Sequence, residues 1–345
     1  MGEIDIRIQG RAGRITLNRP GALNALTYEM VMAIDAALMD WAEDARVALV
    51  VIDAAGDRAF CAGGDIAEMY ATGTAGDYAY GRKFWRDEYR MNARLAGFGK
   101  PVVTLMQGFT MGGGVGVGCH ASHRVVGETS QIAMPECGIG LVPDVGGSML
   151  LARAPGRMGA YFGTTGARMD AGDAITMGFA DHFVPEGLWP DLIAELEATG
   201  DIAAVAGASA AAPLGATSAL RDGIDLQFEP QTLGDVVRSL SASDSDFARD
   251  TLKRMGRNAP LSMACTLGML TALGPAPSIT EALEMEYRFT ARSMDHGDFL
   301  EGIRAAIIDK DKNPKWRHAA LDAVPEADVA RMLAPLGAEG WTEAD

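Results

Sequence analysis

Two carboxylates, Glu136 and Asp144, stand in the stretch Met134-Pro135-Glu136-Cys137-Gly138-Ile139-Gly140-Leu141-Val142-Pro143-Asp144-Val145-Gly146-Gly147-Ser148, where every other residue but one serine and one cysteine is apolar or glycine. Acids in such surroundings are either exposed at turns or held where water is scarce. In the second setting their pKa values move away from solution values, which suits proton transfer. The plain structural alternatives are that Glu136 caps a turn and that Asp144 is the N-cap of a helix. Two glycine clusters offer a different chemistry. Phe60-Cys61-Ala62-Gly63-Gly64-Asp65-Ile66 follows an apolar run and precedes a helical pattern. Small residues there let a ligand approach the main chain, and free N–H groups at a helix start attract negative charge; the alternative is an ordinary Gly-Gly turn. Met111-Gly112-Gly113-Gly114-Val115-Gly116 follows a second apolar run. It lacks the Gly-Lys-Ser/Thr of a phosphate loop and the strand-to-helix setting of a dinucleotide fingerprint. Three adjacent glycines mean that the backbone itself faces something, either a tight packing neighbour or a developing oxyanion.

These residues need a scaffold, and the pattern supplies one. Ile4, Ile6 and Ile8 alternate with polar residues as in a half-buried strand, Arg11-Ala12-Gly13 reads as a turn, and Arg14 to Asn18 as the returning strand. Thr27 is placed to cap a helix whose face carries Met30, Ile34, Leu38 and Trp41. Val47 to Ile52 and Val102 to Met106 are continuous apolar runs, typical of strands buried on both faces. Ala75 to Leu95 between them reads as helical and carries many charges, and Arg124–Val126 and Gln131–Ala133 read as short strands. Alternating strands and helices give a layered α/β core. Beyond about Pro185 the strand signal fades. Ala198 to Ala219 reads as a broken helix or connection, Phe247 to Ile308 as helical, and Pro325 to Asp345 as a polar, acidic end.

Composition removes some functions. The formal net charge is −16, which argues against nucleic acid and against an anionic membrane as partner, since both need a basic footprint. Pro101 to Ser122 has no Asp, Glu, Lys or Arg, but its six glycines between Gly108 and Gly118 make a poor spanning helix, so it reads as a buried strand entering a glycine-rich turn. The N-terminus, from Met1 to Ile6, has no basic region followed by an apolar one and reads as lacking a secretory signal. Cys61, Cys119, Cys137 and Cys265 match no zinc or redox spacing and read as free, reduced thiols. Cys61 and Cys137 adjoin the glycine and acid motifs, yet no activating base accompanies either. His120 and His123 lack a third metal ligand nearby, so no metal site is expected. Trp85 and Tyr89 either wall a pocket or pack.

Taken together, Leu17-Asn18-Arg19-Pro20 with Leu23-Asn24-Ala25-Leu26, Ala62–Asp65, Gly112–Gly114 and Pro135-Glu136 occur in an order and spacing that resembles the crotonase, or enoyl-CoA hydratase/isomerase, superfamily. Within it the chain is most similar to the branch of 3-hydroxyisobutyryl-CoA hydrolases. That likeness takes in Phe84-Trp85-Arg86-Asp87-Glu88-Tyr89, Met285-Glu286-Tyr287-Arg288, Asp298 to Ala305, and Ile308 to Trp316. The resemblance implies an α/β fold, a ClpP-like spiral of ββα units over residues 1–200 carrying an oxyanion hole, with a helical region over 201–345 completing the CoA site. It also implies site residues. Gly64 and Gly113 give the two oxyanion N–H groups, and Glu136, Asp144 and Glu88 line the acyl pocket. The backbone at Ala25, Ala62 and Gly63, with Asp65 closing the motif, meets the adenine end of CoA. Lys310, with Lys312 and Lys315, offers cations for its phosphates. Hydratases of the superfamily carry a second catalytic Glu three residues after the middle glycine, where this chain has Gly116.

The leading expectation is hydrolysis of a short 3-hydroxyacyl-CoA thioester, above all 3-hydroxyisobutyryl-CoA, to the free acid and CoA. Glu136 activates the attack, as general base for water or as a nucleophile through a transient anhydride, and Asp144 with Glu88 orients the substrate hydroxyl. One rival is an enoyl-CoA hydratase or enoyl/dienoyl-CoA isomerase acting on a short acyl-CoA. Another is a non-catalytic acyl-CoA-binding protein, whose mark, acids lost and glycines kept, is absent here. No metal or redox cofactor is expected, CoA being part of the substrate. A homo-oligomer fits the family's habit. The absence of an organelle-targeting pattern fits a bacterial cytoplasm or a processed mature form, and the small, Ala/Gly-rich, acidic composition favours the cytoplasmic reading.

Overall fold

The computed structural model describes residues 2–343, so Met1, Ala344 and Asp345, the outer ends of the two terminal segments read above, lie outside the described residues. The chain forms two compact units that interleave along the sequence. The first comprises residues 1–65, 87–133 and 168–216; the second comprises 66–86, 134–167 and 217–345.

The first unit is built on two sheets. Strands β1 (Ile4–Gln9), β2 (Ala12–Leu17), β3 (Leu49–Ala54), β4 (Ala59–Cys61), β5 (Val102–Leu105), β6 (Phe109–Met111), β7 (His123–Val126), β8 (Gln131–Ala133) and β9 (His182–Phe183) follow one another in the chain. The larger sheet has the order β1-β2-β3-β5-β7-β9 and the smaller the order β4-β6-β8. Among the strand pairs of the described residues, only the β1–β2 hairpin is antiparallel. From β3 onward each turn of the chain lays one strand in the large sheet and the next in the small one, which is the spiral of ββα turns expected. The central strands of the large sheet are buried on both sides, as their unbroken apolar runs require. Leu49, Val51, Val103, Leu105 and Val125 pack against Trp189, Leu192 and Leu196 of the helix Trp189–Thr199. Thr27 caps the helix Tyr28–Ala42, which buries Met30, Ile34, Leu38 and Trp41 as its periodicity predicts. Trp41 lies so close over β2 that a Cβ on Gly13 would meet its ring at 2.5 Å.

The second unit is helical. Its centre is the helix Pro260–Leu273, apolar on every side and packed by the helices Gly147–Arg153, Met158–Thr165, Ile279–Thr290 and Glu326–Leu333. The division expected at residue 200 therefore does not coincide with the division into units. Segments 66–86 and 134–167 carry apolar helical faces that pack on the C-terminal helices; Trp85, for example, sits 5.6 Å from Phe299. A composition shift along the chain cannot register such packing. The helical reading over Ala75–Leu95 is met by the helix Ala79–Ala96, and the helical pattern after Ile66 by the separate helix Ala67–Thr74, with Gly76 at a φ of 81° between them. Two local readings differ. The glycine-rich turn is a short helix, Gly113–Gly118, entered from β6. The polar end contains the helix Glu326–Leu333 and buries Met332 and Trp341. Among the described residues no helix is long and apolar enough to cross a membrane.

Candidate active site

In the first unit, main-chain pairing brings the glycine motif beside the Asn24-Ala25-Leu26 segment. Ala62 N–H bonds Leu23 O at 3.0 Å, Leu26 N–H bonds Gly63 O at 2.9 Å, and Asp65 N–H bonds Leu26 O at 2.7 Å, a parallel bridge between Leu26 and Gly64. Successive N–H groups of extended chain point to opposite edges, so the Gly64 N–H turns away from Leu26. Arg19 locks the loop by bonding Ala25 O at 2.6 Å and the Asp65 carboxylate at 3.1 Å. Ala25, Ala62, Gly63, Gly64 and Asp65 thus form one assembly.

Gly113 joins it. As the first residue of its helix it carries one of the N–H groups that no helical carbonyl can reach. The turn into that helix needs Gly112, whose φ of 51° with ψ of −122° excludes ordinary side chains. A Cβ on Gly113 would stand 2.9 Å from Glu88 Oε1, 3.2 Å from Leu26 Cδ1 and 3.4 Å from the Gly64 nitrogen. Gly64, Gly113 and the buried Glu88 carboxylate therefore converge on one point. The packing reading of the glycine cluster holds as well, for other members: a Cβ on Gly114 would strike Cys61 O at 2.2 Å, and one on Gly118 would strike Met106 Sδ at 2.6 Å. Two amides beside a point of close approach can polarise a carbonyl oxygen.

In the second unit Glu136 and Asp144 are both buried. Glu136 begins the short helical turn Glu136–Ile139, and its Oε2 has no hydrogen-bond partner among the described residues. Burial, then the charge of Asp144, pushes its carboxyl well above the usual range, with a further push from Glu286. Asp144 does not cap a helix: the helix Gly147–Arg153 starts at Gly146, and Asp144 precedes a turn in which Val145 takes a φ of 53°. Such a conformation is rare for a β-branched residue and marks strain. Glu286 is the residue that sequence reasoning passed over. It lies fully buried on the helix Ile279–Thr290 and accepts hydrogen bonds from Gly146 N–H (2.8 Å), Ser148 N–H (3.0 Å) and the Ser148 hydroxyl. Burial pushes its carboxyl up to about 8, with Asp144 adding to the rise and the bonds from Ser148 and Gly146 opposing it. An acid falling on the same helical face as Ala282, Leu283 and Phe289 was the available signal.

This pair of raised carboxyls sets a pH dependence of stability. A carboxyl raised above its unfolded value makes the native state bind more protons than the unfolded chain in between, so stability falls as pH rises. For Glu286 the window runs from about 4.5 to about 8. The melting temperature is expected to decline across that window, and to decline less in Glu286→Gln. Thermal melts of both proteins check this, and equal slopes would refute it.

The remaining residues take plainer places. Lys310, Lys312 and Lys315 are exposed, on a loop where Lys310 and Lys312 have φ of 56° and 52°. Arg304 ties that loop down through Asp309 at 2.6 Å and Asp311 at 2.8 Å. Cys61, Cys119 and Cys137 are buried thiols pushed up to about 12 by burial, so they are packing residues. Trp85 and Tyr89 are both buried. His123 stacks on His182 at 6.1 Å, and among the described residues no group of three possible ligands stands together to hold a metal. A cavity of about 790 Å³ in the helical unit holds none of the acids and glycines above. Its guanidiniums grip main-chain carbonyls instead, Arg82 at Ala291 O (2.9 Å) and Arg292 at Ala334 O (2.6 Å).

Comparison with known proteins supplies a context for this geometry. A family model described as enoyl-CoA hydratase/isomerase matches residues 12–333. The mitochondrial 3-hydroxyisobutyryl-CoA hydrolase of Rattus norvegicus is 38% identical, over 97% of this chain and 89% of its own. A crystal structure described as an enoyl-CoA hydratase from Rhodobacter sphaeroides is 60% identical, with a TM-score of 0.96 over 99% of this chain and 100% of that one. Another, described as a carnitinyl-CoA dehydratase from Mycobacterium thermoresistibile, is 39% identical, with a TM-score of 0.94 over 99% of each chain. The comparisons overturn the cytoplasmic expectation. Curated relatives at 36–38% identity all bear names that place them in mitochondria. Reduced thiols and an acidic composition suit more than one compartment, and neither could have decided the point.

Proposed function

We propose, from the fact that this chain belongs to the enoyl-CoA hydratase/isomerase family, that it hydrolyses 3-hydroxyisobutyryl-CoA to 3-hydroxyisobutyrate and CoA. The observation that carries hydrolysis over hydration is Gly116. It stands buried in the helix Gly113–Gly118, three residues beyond Gly113, where a hydratase of this family has its second acid. Adding water across an enoyl double bond uses two carboxylates to hold and activate that water, and glycine can do neither. The relatives matched over nearly the whole chain and named hydrolases support the same choice. The hydratase and dehydratase descriptions of the two structural neighbours favour a second reading, hydration of a short 2-enoyl-CoA.

Gly64 N–H and Gly113 N–H form the oxyanion hole: they polarise the thioester carbonyl and bind it more strongly as charge gathers on its oxygen. Glu136 delivers the attack. As a base it takes a proton from water; the water oxygen forms the new C–O bond, the C–S bond breaks, and the departing CoA thiolate takes up the proton. As a nucleophile it displaces the thiolate and forms an anhydride that water opens. Burial and the charge of Asp144 raise its carboxyl, which makes the carboxylate a stronger proton acceptor than an ordinary glutamate. Asp144 and Glu88 hydrogen-bond the substrate hydroxyl. Main chain at Ala25, Ala62 and Gly63 meets the adenine end of CoA, Asp65 holds that loop through Arg19, and Lys310 meets a phosphate. No cofactor enters beyond the CoA of the substrate.

A thiol-release assay separates the readings. With 3-hydroxyisobutyryl-CoA the protein is expected to free CoA thiol, and with isobutyryl-CoA on the order of 10⁴-fold more slowly, because buried acids left without the hydroxyl penalise the analogue. With crotonyl-CoA the enoyl absorbance should persist. Loss of that absorbance without thiol release would establish the hydratase reading instead.

A further inference from the structure

We propose that Glu286 is a positioning residue for the reaction described above: by accepting Gly146 N–H, Ser148 N–H and the Ser148 hydroxyl, it fixes the strained turn that aims Asp144. The inference rests on that hydrolase reading for its catalytic consequence, and on geometry alone for its structural one. The turn from Asp144 to Ser148 has two successive left-handed residues, Val145 (φ 53°) and Gly146 (φ 80°), and closes through Gly147 N–H to Asp144 O at 2.7 Å. A β-branched residue leaves the left-handed region unless its surroundings hold it there. The holding group is the Glu286 carboxylate, whose two oxygens divide the three donors: Oε2 takes Gly146, and Oε1 takes both groups of Ser148. The two main-chain donors flank Gly147, two and four residues after Asp144, and the Ser148 hydroxyl adds a side-chain bond. The chain is thereby pinned at two points just beyond the acid, and the direction of the Asp144 side chain follows.

Charge adds a second consequence. Asp144 acts electrostatically on both Glu136 and Glu286, so three buried acids form a series with Asp144 in common. The hydrogen bonds to Glu286 all come from donors, which favours its ionised form, while burial and Asp144 favour the protonated one. Removing the charge of Asp144 therefore shifts both Glu136 and Glu286.

The test compares Glu286→Gln and Ser148→Ala with wild type. Glutamine offers one carbonyl and, in place of the other oxygen, an NH₂ that faces a donor; Ser148→Ala removes a single hydroxyl bond and leaves the carboxylate. Two independent readouts apply. The first is hydrogen exchange at the amides of Gly146 and Ser148, which is expected to accelerate in Glu286→Gln by at least about tenfold while the rest of the helix Gly147–Arg153 keeps its protection. The second is kinetic: in Glu286→Gln, kcat for 3-hydroxyisobutyryl-CoA should fall about 10²-fold. The preference over isobutyryl-CoA should shrink and the pH profile of kcat should shift, with KM little changed, and Ser148→Ala should move the same quantities less. A folded Glu286→Gln with wild-type amide exchange, substrate preference and pH profile overturns the proposal. If wild type itself releases no thiol, the hydrolase reading fails, and the exchange measurement alone decides whether Glu286 holds the turn.

Discussion

Glu136→Gln is expected to bind acyl-CoA as wild type does and to release thiol about 10³-fold more slowly. The amide fills the same volume but can neither accept a proton from water nor attack the carbonyl. The exchange also removes a buried carboxyl that burial and Asp144 hold well above its usual range, so the variant should be no less stable than wild type near neutral pH. A lost rate together with a retained or raised melting temperature would separate a catalytic from a structural role. Steady-state kinetics and calorimetry on the same preparation read both. Turnover at the wild-type rate would remove Glu136 from the mechanism altogether.

Gly113→Ala is expected to lower kcat/KM for 3-hydroxyisobutyryl-CoA by about 10²-fold or more: the alanine keeps its N–H, but its methyl group pushes the carbonyl oxygen away from that N–H, and a misplaced oxyanion contact costs about as much as a lost one. A methyl group there would enter the point where Glu88 Oε1, Leu26 Cδ1 and the Gly64 nitrogen converge, at 2.9, 3.2 and 3.4 Å. Of these, Glu88 can move, and in moving it gives up the position from which, in the proposed mechanism, it would meet the substrate hydroxyl. Gly21→Ala is the control, since a Cβ at Gly21 meets nothing within 4 Å. Equal kcat/KM in Gly113→Ala and wild type would show that no reacting group approaches Gly113 closely enough for the proposed oxyanion contact.

The sequence made the large sheet legible because its strands bury both faces and therefore read as unbroken apolar runs, Val47–Ile52 and Val102–Met106 above all. It did not reveal β4 and β6, each three residues long and each running straight into a glycine cluster that dominates the local pattern, although β8, equally short, was read at Gln131–Ala133. The helix Gly113–Gly118 was hidden for a related reason. Its four glycines oppose helix formation by propensity, and what sustains it is tertiary: Gly114 lies against Cys61 O and Gly118 against Met106. At the candidate site, Glu136 and Asp144 stood out because their neighbours are apolar or small. Glu286 did not, since a glutamate among Glu281, Glu284 and Arg288 looks like one more charge on an amphipathic helix until its face is known. The interleaving of the two units was invisible for the same kind of reason. Nothing in the composition of 66–86 or 134–167 says which helices their apolar faces will meet.

The most direct test of the central claim is a crystal structure of Glu136→Gln with 3-hydroxyisobutyryl-CoA bound and uncleaved. The expected result is a thioester oxygen about 3 Å from both the Gly64 and the Gly113 nitrogens. A carbonyl pointing away from those two nitrogens, with the ligand otherwise fully ordered, would contradict the account.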